Sequence, residues 1–302
     1  MTVSRLKITY ILYFLGLGFV FYLLHSSWSE VKSQVADFKI IYLVISTVAI
    51  LMHTLIGCWL LKVLLNSYKV DIDYSQTCKV FYLSQLSKYL PGVIWGFAIQ
   101  ASMLNSEKVI KKVVFSNIRL MLFITVFSVF ISAAFIASQY SIIVAFVLLI
   151  ISFLSIYCLN QDVVLNIFFK PFQKFHSLLF LEKSRDHEIE TKKLFLSCTT
   201  LYLTYLLTIA SIVLAFYDVT LYEAIEIAVY HCIGWVAGIL VFIVPAGMGV
   251  REIIFLALGS QLDNFTVEQV QSLAILTRFV QLAQDCLFSF VAMILVQAKI
   301  LK

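Results

Sequence analysis

Charge is scarce in this sequence. Asp, Glu, Lys and Arg together make up 13% of its 302 residues, against 62% hydrophobic, and the mean hydropathy is +0.97. A water-soluble domain needs a charged exterior, and here the charges sit in short islands between apolar runs, so water is excluded as the main solvent. Cysteine is scattered singly: Cys58, Cys78, Cys158, Cys198, Cys232 and Cys286 form no CxxC and no Cys/His pairing. They read as small buried hydrophobes. The five histidines show neither HxxxH nor HExxH spacing, so no metal is expected. With no Walker A pattern, GxSxG or GxGD, no nucleotide cofactor and no catalytic residue is expected either. The net charge of +5 lies at the ends of the apolar segments, where anionic headgroups and the positive-inside bias use it, and nucleic acid is not an expected partner.

What is present is length without interruption. Apolar segments at 8–24, 40–65, 113–136, 140–159, 194–217 and 270–298 each approach the roughly 20 residues that cross a hydrocarbon core. They predict an all-α polytopic membrane protein with six spanning helices. The first segment, preceded by Arg5 and Lys7 and followed by Ser26 and Ser27, has the flanks of a signal peptide but no small-x-small cleavage site, and is read as a span.

Proline is the other scarcity. The chain has three, and two of them interrupt further apolar stretches, 76–104 and 224–260. One break reads Tyr89-Leu90-Pro91-Gly92-Val93, the other Val244-Pro245-Ala246-Gly247-Met248-Gly249. Proline removes a backbone donor and glycine accepts left-handed geometry, so a helix is expected to break at each. In lipid, unwound backbone is tolerated only where protein or a water-filled cavity satisfies it, so both stretches are read as re-entrant elements facing a site.

If the two elements enter from opposite faces, both termini are cytoplasmic. The basic residues from Arg5 and Lys7 through Lys69, Lys111, Lys112, Lys192 and Lys193 to Lys302 then lie inside, leaving Lys32 and Lys39 outside. That is the asymmetry expected of a multi-pass protein of the cytoplasmic membrane. It also suggests one domain, 1–302, of two half-repeats, 1–139 and 140–302, with opposite topology, an arrangement met in transporters. Gly92-Val93-Ile94-Trp95-Gly96 and Gly234-Trp235-Val236-Ala237-Gly238 echo each other weakly as GxxxG. Within 160–193, Val163 to Leu181 sets phenylalanines against Lys170 and Lys174 and reads as an interfacial helix or an ordinary charged loop.

Residues able to carry function cluster at the breaks. Pro245, Gly247 and Gly249 precede a helix start whose free N–H groups attract anions. Arg251 follows in the first turn, where the helix dipole disfavours a cation. A compensating negative group is therefore expected, either an internal pair with Glu252, Glu226 or Asp285, or a lipid phosphate. Arg278, Gln281 and Asp285 form one polar stripe on a helix, readable as a structural charge pair or as a wall of a substrate path. Lys88, before Pro91 and Gly92, is either a helix cap or a second anion contact. Arg119 is expected to snorkel to the interface, and His231 reads either as a simply hydrogen-bonded side chain or as part of a protonatable cluster with Glu226 and Tyr230.

These motifs make the sequence similar to the flippase-like family of the lysylphosphatidylglycerol synthase transmembrane region. Ser87-Lys88-Tyr89-Leu90-Pro91-Gly92-Val93-Ile94-Trp95 resembles its S-K-Y-L-P-G-x-x-W stretch. Pro245-Ala246-Gly247-Met248-Gly249-Val250-Arg251-Glu252 resembles its P-G-G-x-G-x-R-E, with Ala246 in place of a glycine, and Arg278 and Asp285 also fit. The resemblance implies two re-entrant elements and movement of an anionic or polyprenyl-linked lipid between leaflets. The full synthase also carries a soluble aminoacyl-transferase domain, absent from these residues, so lysylphosphatidylglycerol synthesis is not expected. Two other classes remain open: a membrane glycosyl- or phosphotransferase with a lipid-linked donor, and a non-catalytic partner of envelope-biosynthesis enzymes.

Overall fold

A computed structural model of the chain describes residues 38–85, 87, 94–104, 107–161, 189–241 and 249–297. Among them the secondary structure is entirely helical: α1 (Ile40–Ser67), α2 (Tyr74–Ser84), α3 (Ile94–Met103), α4 (Glu107–Ser138), α5 (Ile142–Asn160), α6 (Thr191–Phe216), α7 (Leu221–Leu240), α8 (Val250–Gly259) and α9 (Val267–Gln297). Six of these, α1, α4, α5, α6, α7 and α9, are long and apolar enough to cross a membrane. The protein is a multi-pass membrane protein. Isoleucines, valines and leucines along α1 and α5 stay exposed, as expected of surfaces wetted by lipid tails.

Five of the spans expected from sequence are these helices. Segment 8–24 and the stretch 163–181 lie outside the described residues. The remaining span, α7, is not among those expected: it fills the part of 224–260 before the proline-glycine motif, and the expected interruption falls between its end at Leu240 and the start of α8 at Val250. Helix α7 is a 20-residue helix that runs unbroken through Gly234 and Gly238, followed by the separate 10-residue α8. Mid-helix glycine costs about 1 kcal/mol relative to alanine without breaking the helix. In 76–104, two short helices, α2 and α3, flank the residues around Pro91, which are not among those described.

Helix starts follow local chemistry. Thr220 and Glu223 form a reciprocal capping box at α7, with Thr220 N–H donating to Glu223 Oε2 at 2.7 Å and Glu223 N–H to Thr220 Oγ1 at 3.3 Å. Thr266 and Gln269 repeat it at α9, at 2.9 and 3.2 Å. Asp73 caps α2 by accepting the Gln76 N–H at 2.6 Å. Each satisfies donors that the first helical turn leaves orphaned.

The chain divides into two compact units. One comprises the described residues of Thr54–Phe81 and Phe97–Tyr202. Its interior holds Leu60, Leu61, Leu64 and Leu65 of α1 and Phe123 and Phe127 of α4, with Phe127 edge-on to Phe195 at 5.5 Å. Arg119 corrects its expectation here. It does not snorkel but is 1% exposed. Its Nη1 donates to Tyr68 Oη at 2.8 Å, and its Nη2 to the Asn160 carbonyl at 2.9 Å and Asn160 Oδ1 at 3.2 Å. Its guanidinium also lies 5.5 Å from the Phe123 ring centroid. Asn160 is the last residue of α5, where carbonyls lack intrahelical partners. Its own amide donates onward to the Ile189 carbonyl at 2.8 Å and Thr191 Oγ1 at 3.3 Å.

The other unit comprises the described residues of Met1–His53, Tyr82–Gly96 and Leu203–Lys302. At one end Lys39 donates its ammonium to the Asp218 carboxylate and its N–H to the Ala215 carbonyl at 2.9 Å, clasping the start of α1 to the end of α6. Deeper in, Gln284 of α9 donates to Ser46 Oγ at 3.1 Å and Thr47 Oγ1 at 3.3 Å of α1, and Ser289 donates to the Tyr82 carbonyl at 3.0 Å.

Two outcomes follow. Arg119→Leu removes the donors to Tyr68 Oη and to the Asn160 carbonyl, a loss of about 1–3 kcal/mol in all, so thermal unfolding of the detergent-purified protein is expected at a lower temperature, with a smaller fall for Tyr68→Phe. At the clasp, the hydrogen bond from Lys39 holds the Asp218 carboxyl below the usual carboxylate range, and Asp218 raises the Lys39 ammonium. The Asp218 contribution is present above the ordinary carboxylate value and lost as pH falls through the lowered one. The Lys39 contribution is present below the ordinary lysine value and lost as pH rises through the raised one. Protection of the Lys39 amide, measured by hydrogen exchange and corrected for intrinsic rate, is expected to stay level between these limits and fall beyond either; Asp218→Asn abolishes both changes.

Candidate functional site

The site grows from the start of α8. Gly249 has φ +83°, a left-handed conformation that side chains resist, so glycine suits the turn. The helix then places Arg251 and Glu252 in its first turn. Glu252 reaches back so that its Oε2 accepts the Gly249 N–H at 2.6 Å, while its Oε1 accepts from Arg278 Nε on α9. One carboxylate thus neutralises the positive end of α8 and ties it to α9. Arg278 and Glu252 are about one-fifth exposed, at 21% and 23%.

Arg251 points the other way and is 8% exposed. Its Nη2 lies 2.6 Å from His231 Nε2 on α7 and donates to Gln281 Oε1 on α9 at 3.0 Å. A guanidinium only donates, so His231 Nε2 is the acceptor and the ring hydrogen sits on Nδ1. That nitrogen lies 3.3 Å from Tyr205 Oη on α6. Phe255 meets the imidazole edge-on at 5.3 Å, and Tyr205 stacks obliquely on Trp235 at 5.4 Å. The hydrogen-bonded line therefore runs Gln281, Arg251, His231, Tyr205, across four helices.

Two glycines let α8 come this close. A Cβ on Gly234 of α7 would lie 2.7 Å from the Arg251 carbonyl oxygen and 3.3 Å from Phe255 Cβ. At the other end of α8, a Cβ on Gly259 would lie 2.8 Å from Val270 Cγ1 of α9. The helix is seated against α7 near its start and against α9 near its end.

The expected site residues Gly249, Arg251, Glu252 and Arg278 come together. Asp285 is half-buried on α9, one turn beyond Gln281. Lys88, Pro91, Gly92, Pro245 and Gly247 lie outside the described residues. The internal acid anticipated for Arg251 is not its partner: among the described residues its side chain bonds neutral His231 and Gln281, while Glu252 takes Arg278. His231 is hydrogen-bonded, as the simpler of its two readings has it, to Arg251 and Tyr205. Tyr205 carried no sequence signal of a role here, sitting in an ordinary apolar run of α6.

Electrostatically, two guanidinium groups against one carboxylate leave this hydrogen-bonded set with one positive charge. Placing a cation inside a spanning bundle costs about 2.5–3.5 kcal/mol on insertion scales, so such groups face a partner or an aqueous path. Both side-chain hydrogen bonds of Arg251 to described residues leave from Nη2.

The family model of the Lysylphosphatidylglycerol synthase TM region matches residues 7–287. No curated protein and no solved structure matches the chain.

Gly234→Ala drives a methyl group into the Arg251 backbone, an overpacking worth about 1–3 kcal/mol. It is expected to lower the unfolding temperature and loosen α8, read as faster amide exchange across Val250–Gly259, whereas Gly57→Ala, with nothing within 4 Å of its Cβ, leaves α8 exchange unchanged and does not lower the unfolding temperature.

Proposed function

The chain belongs to the family of the lysylphosphatidylglycerol synthase TM region, and from its site we propose that it translocates an anionic lipid, a phospholipid or a polyprenyl-linked lipid, across the cytoplasmic membrane. The observation that carries this reading is the buried network with one surplus positive charge, formed by Arg251, Arg278, Glu252, His231 and Gln281. A lipid phosphate would complete it. The headgroup sits against Arg251, Gly249 shapes the turn beside it, and the acyl or prenyl tails stay in lipid.

The other parts of the proposal follow from the sequence. Both proline-glycine breaks are re-entrant, with Lys88, Pro91 and Gly92 on the first and Pro245 and Gly247 on the second lining the headgroup path, and Asp285 continuing the polar stripe of Arg278 along α9. Both termini are cytoplasmic. The clasp between Lys39 and Asp218 supports this topology by bringing the start of α1 and the α6–α7 turn to one end, the outer end in this arrangement.

The test is leaflet exchange in phosphatidylcholine liposomes carrying a tail-labelled phosphatidylglycerol or polyprenyl phosphate, with and without proton and sodium gradients. Protein-dependent exchange is expected for at least one anionic lipid. Arg251→Gln removes charge-assisted bonds worth about 1.5–3 kcal/mol, so the rate is expected to fall roughly tenfold to hundredfold, with Arg251→Lys intermediate. Wild-type protein that moves none of these lipids, or an Arg251→Gln variant as fast as wild type, would overturn the reading.

A further inference from the structure

A guanidinium donating to an imidazole nitrogen is an arrangement with one proton too few to persist beside an anion. Arg251 Nη2 and His231 Nε2 are 2.6 Å apart, and the bond exists only while Nε2 is unprotonated. The nitrogen thus spends its lone pair on the cation that the anion needs. Around the ring stand Arg251 of α8, with Glu252 beside it, Arg278 of α9 held by that Glu252, and Tyr205 of α6. Beyond Tyr205 lies the His53 ring of α1, 5.9 Å from it. On its own helix the ring is followed by Cys232. His231 itself is 1% exposed. A second positive charge here, beside two guanidinium groups and one carboxylate, is held only if an anion arrives with it.

We propose that His231 is a proton-binding site coupled to the anion site, so that one proton is taken up for each anion bound between Arg251 and His231. The inference rests on the anion-site reading and deepens it. When the anion enters, Arg251 Nη2 turns from His231 to the ligand oxygen. Nε2, relieved of its donor, takes up a proton from the bulk solvent and, with its new N–H, donates a hydrogen bond to the same anion. Nδ1–H keeps its place toward Tyr205 Oη. Apart from this proton transfer no covalent bond is made or broken, and a monoanion with its proton enters without net charge. The loaded site therefore avoids burying an added charge, the chief obstacle to moving an anionic headgroup through a low-dielectric interior. Binding is tighter at lower pH, by up to tenfold for each pH unit over which one full proton is taken up, because proton and anion affinities are linked reciprocally.

Isothermal titration calorimetry of the full chain in detergent micelles tests this. The probes are dioctanoyl phosphatidylglycerol and its deacylated headgroup, glycerophosphoglycerol, both phosphodiesters that do not titrate near neutrality. Each titration is run in two buffers of different ionisation enthalpy, so that protons taken up per bound anion are counted directly. Wild type is expected to take up about one proton per anion at mildly alkaline pH. His231→Gln, whose amide oxygen still accepts from Arg251, is expected to bind with no proton uptake and no pH dependence. Uptake with the acylated probe alone identifies a lipid as the source of the anion, and equal uptake with both identifies the phosphodiester group by itself; either supports the coupling. Wild-type binding without proton uptake, or undiminished uptake in His231→Gln, would overturn the coupling while leaving the anion site intact. Failure of wild type to bind either probe would overturn the anion site and the coupling together.

Discussion

A guanidinium keeps its proton even inside a membrane protein, so wherever the fold buries one, the neighbourhood must be built around it. Each compact unit of this protein contains such a group, and the two are handled differently. Arg119 is spread over a phenol, a helix-terminal carbonyl, an amide oxygen and an aromatic face. Its charge is absorbed by dipoles that secure helix ends. Among the described residues Arg251 receives two neutral acceptors, both through one nitrogen, and the Glu252 carboxylate next to it in sequence is committed to Gly249 and Arg278. The first set of partners secures helix ends; the second joins side chains of α7 and α9 to the start of α8.

Glu252 makes that difference possible. By accepting from Gly249 and Arg278 together it satisfies the start of α8, fixes α8 to α9 and removes itself as a partner for Arg251. The two glycines at the α8 contacts then keep the short helix seated. A family-wide match over residues 7–287 covers all the elements that make this cluster, from the α6 tyrosine to the α9 glutamine.

The spans were legible because crossing hydrocarbon demands a length of apolar sequence, and five helices meet it with little dilution. Helix α7 was hidden by composition: Glu223, Glu226, His231, Gly234 and Gly238 fall within twenty residues and blurred it into the proline-glycine stretch that follows. Its start was nevertheless written locally, since Thr220 and Glu223 have capping-box spacing. The importance of Arg251, Glu252 and Arg278 was also readable, because charges in apolar segments are costly and demand explanation. Their pairing was not. His231 and Gln281 lie 20 and 30 residues from Arg251, and which donor meets which acceptor is decided by the close approach of α7 to α8, a property of packing that no spacing announces.

Asn160 has a wider implication for how this chain tolerates change. The last side chain of α5 hydrogen-bonds Ile189 and Thr191, where the chain returns to begin α6. The end of α5 and the start of α6 are thus joined by a single amide, and Arg119 holds that amide in place. One side chain at the end of a helix therefore decides how two spans meet, so the junction answers to the identity of residue 160 more than to the apolar length that makes either helix a span.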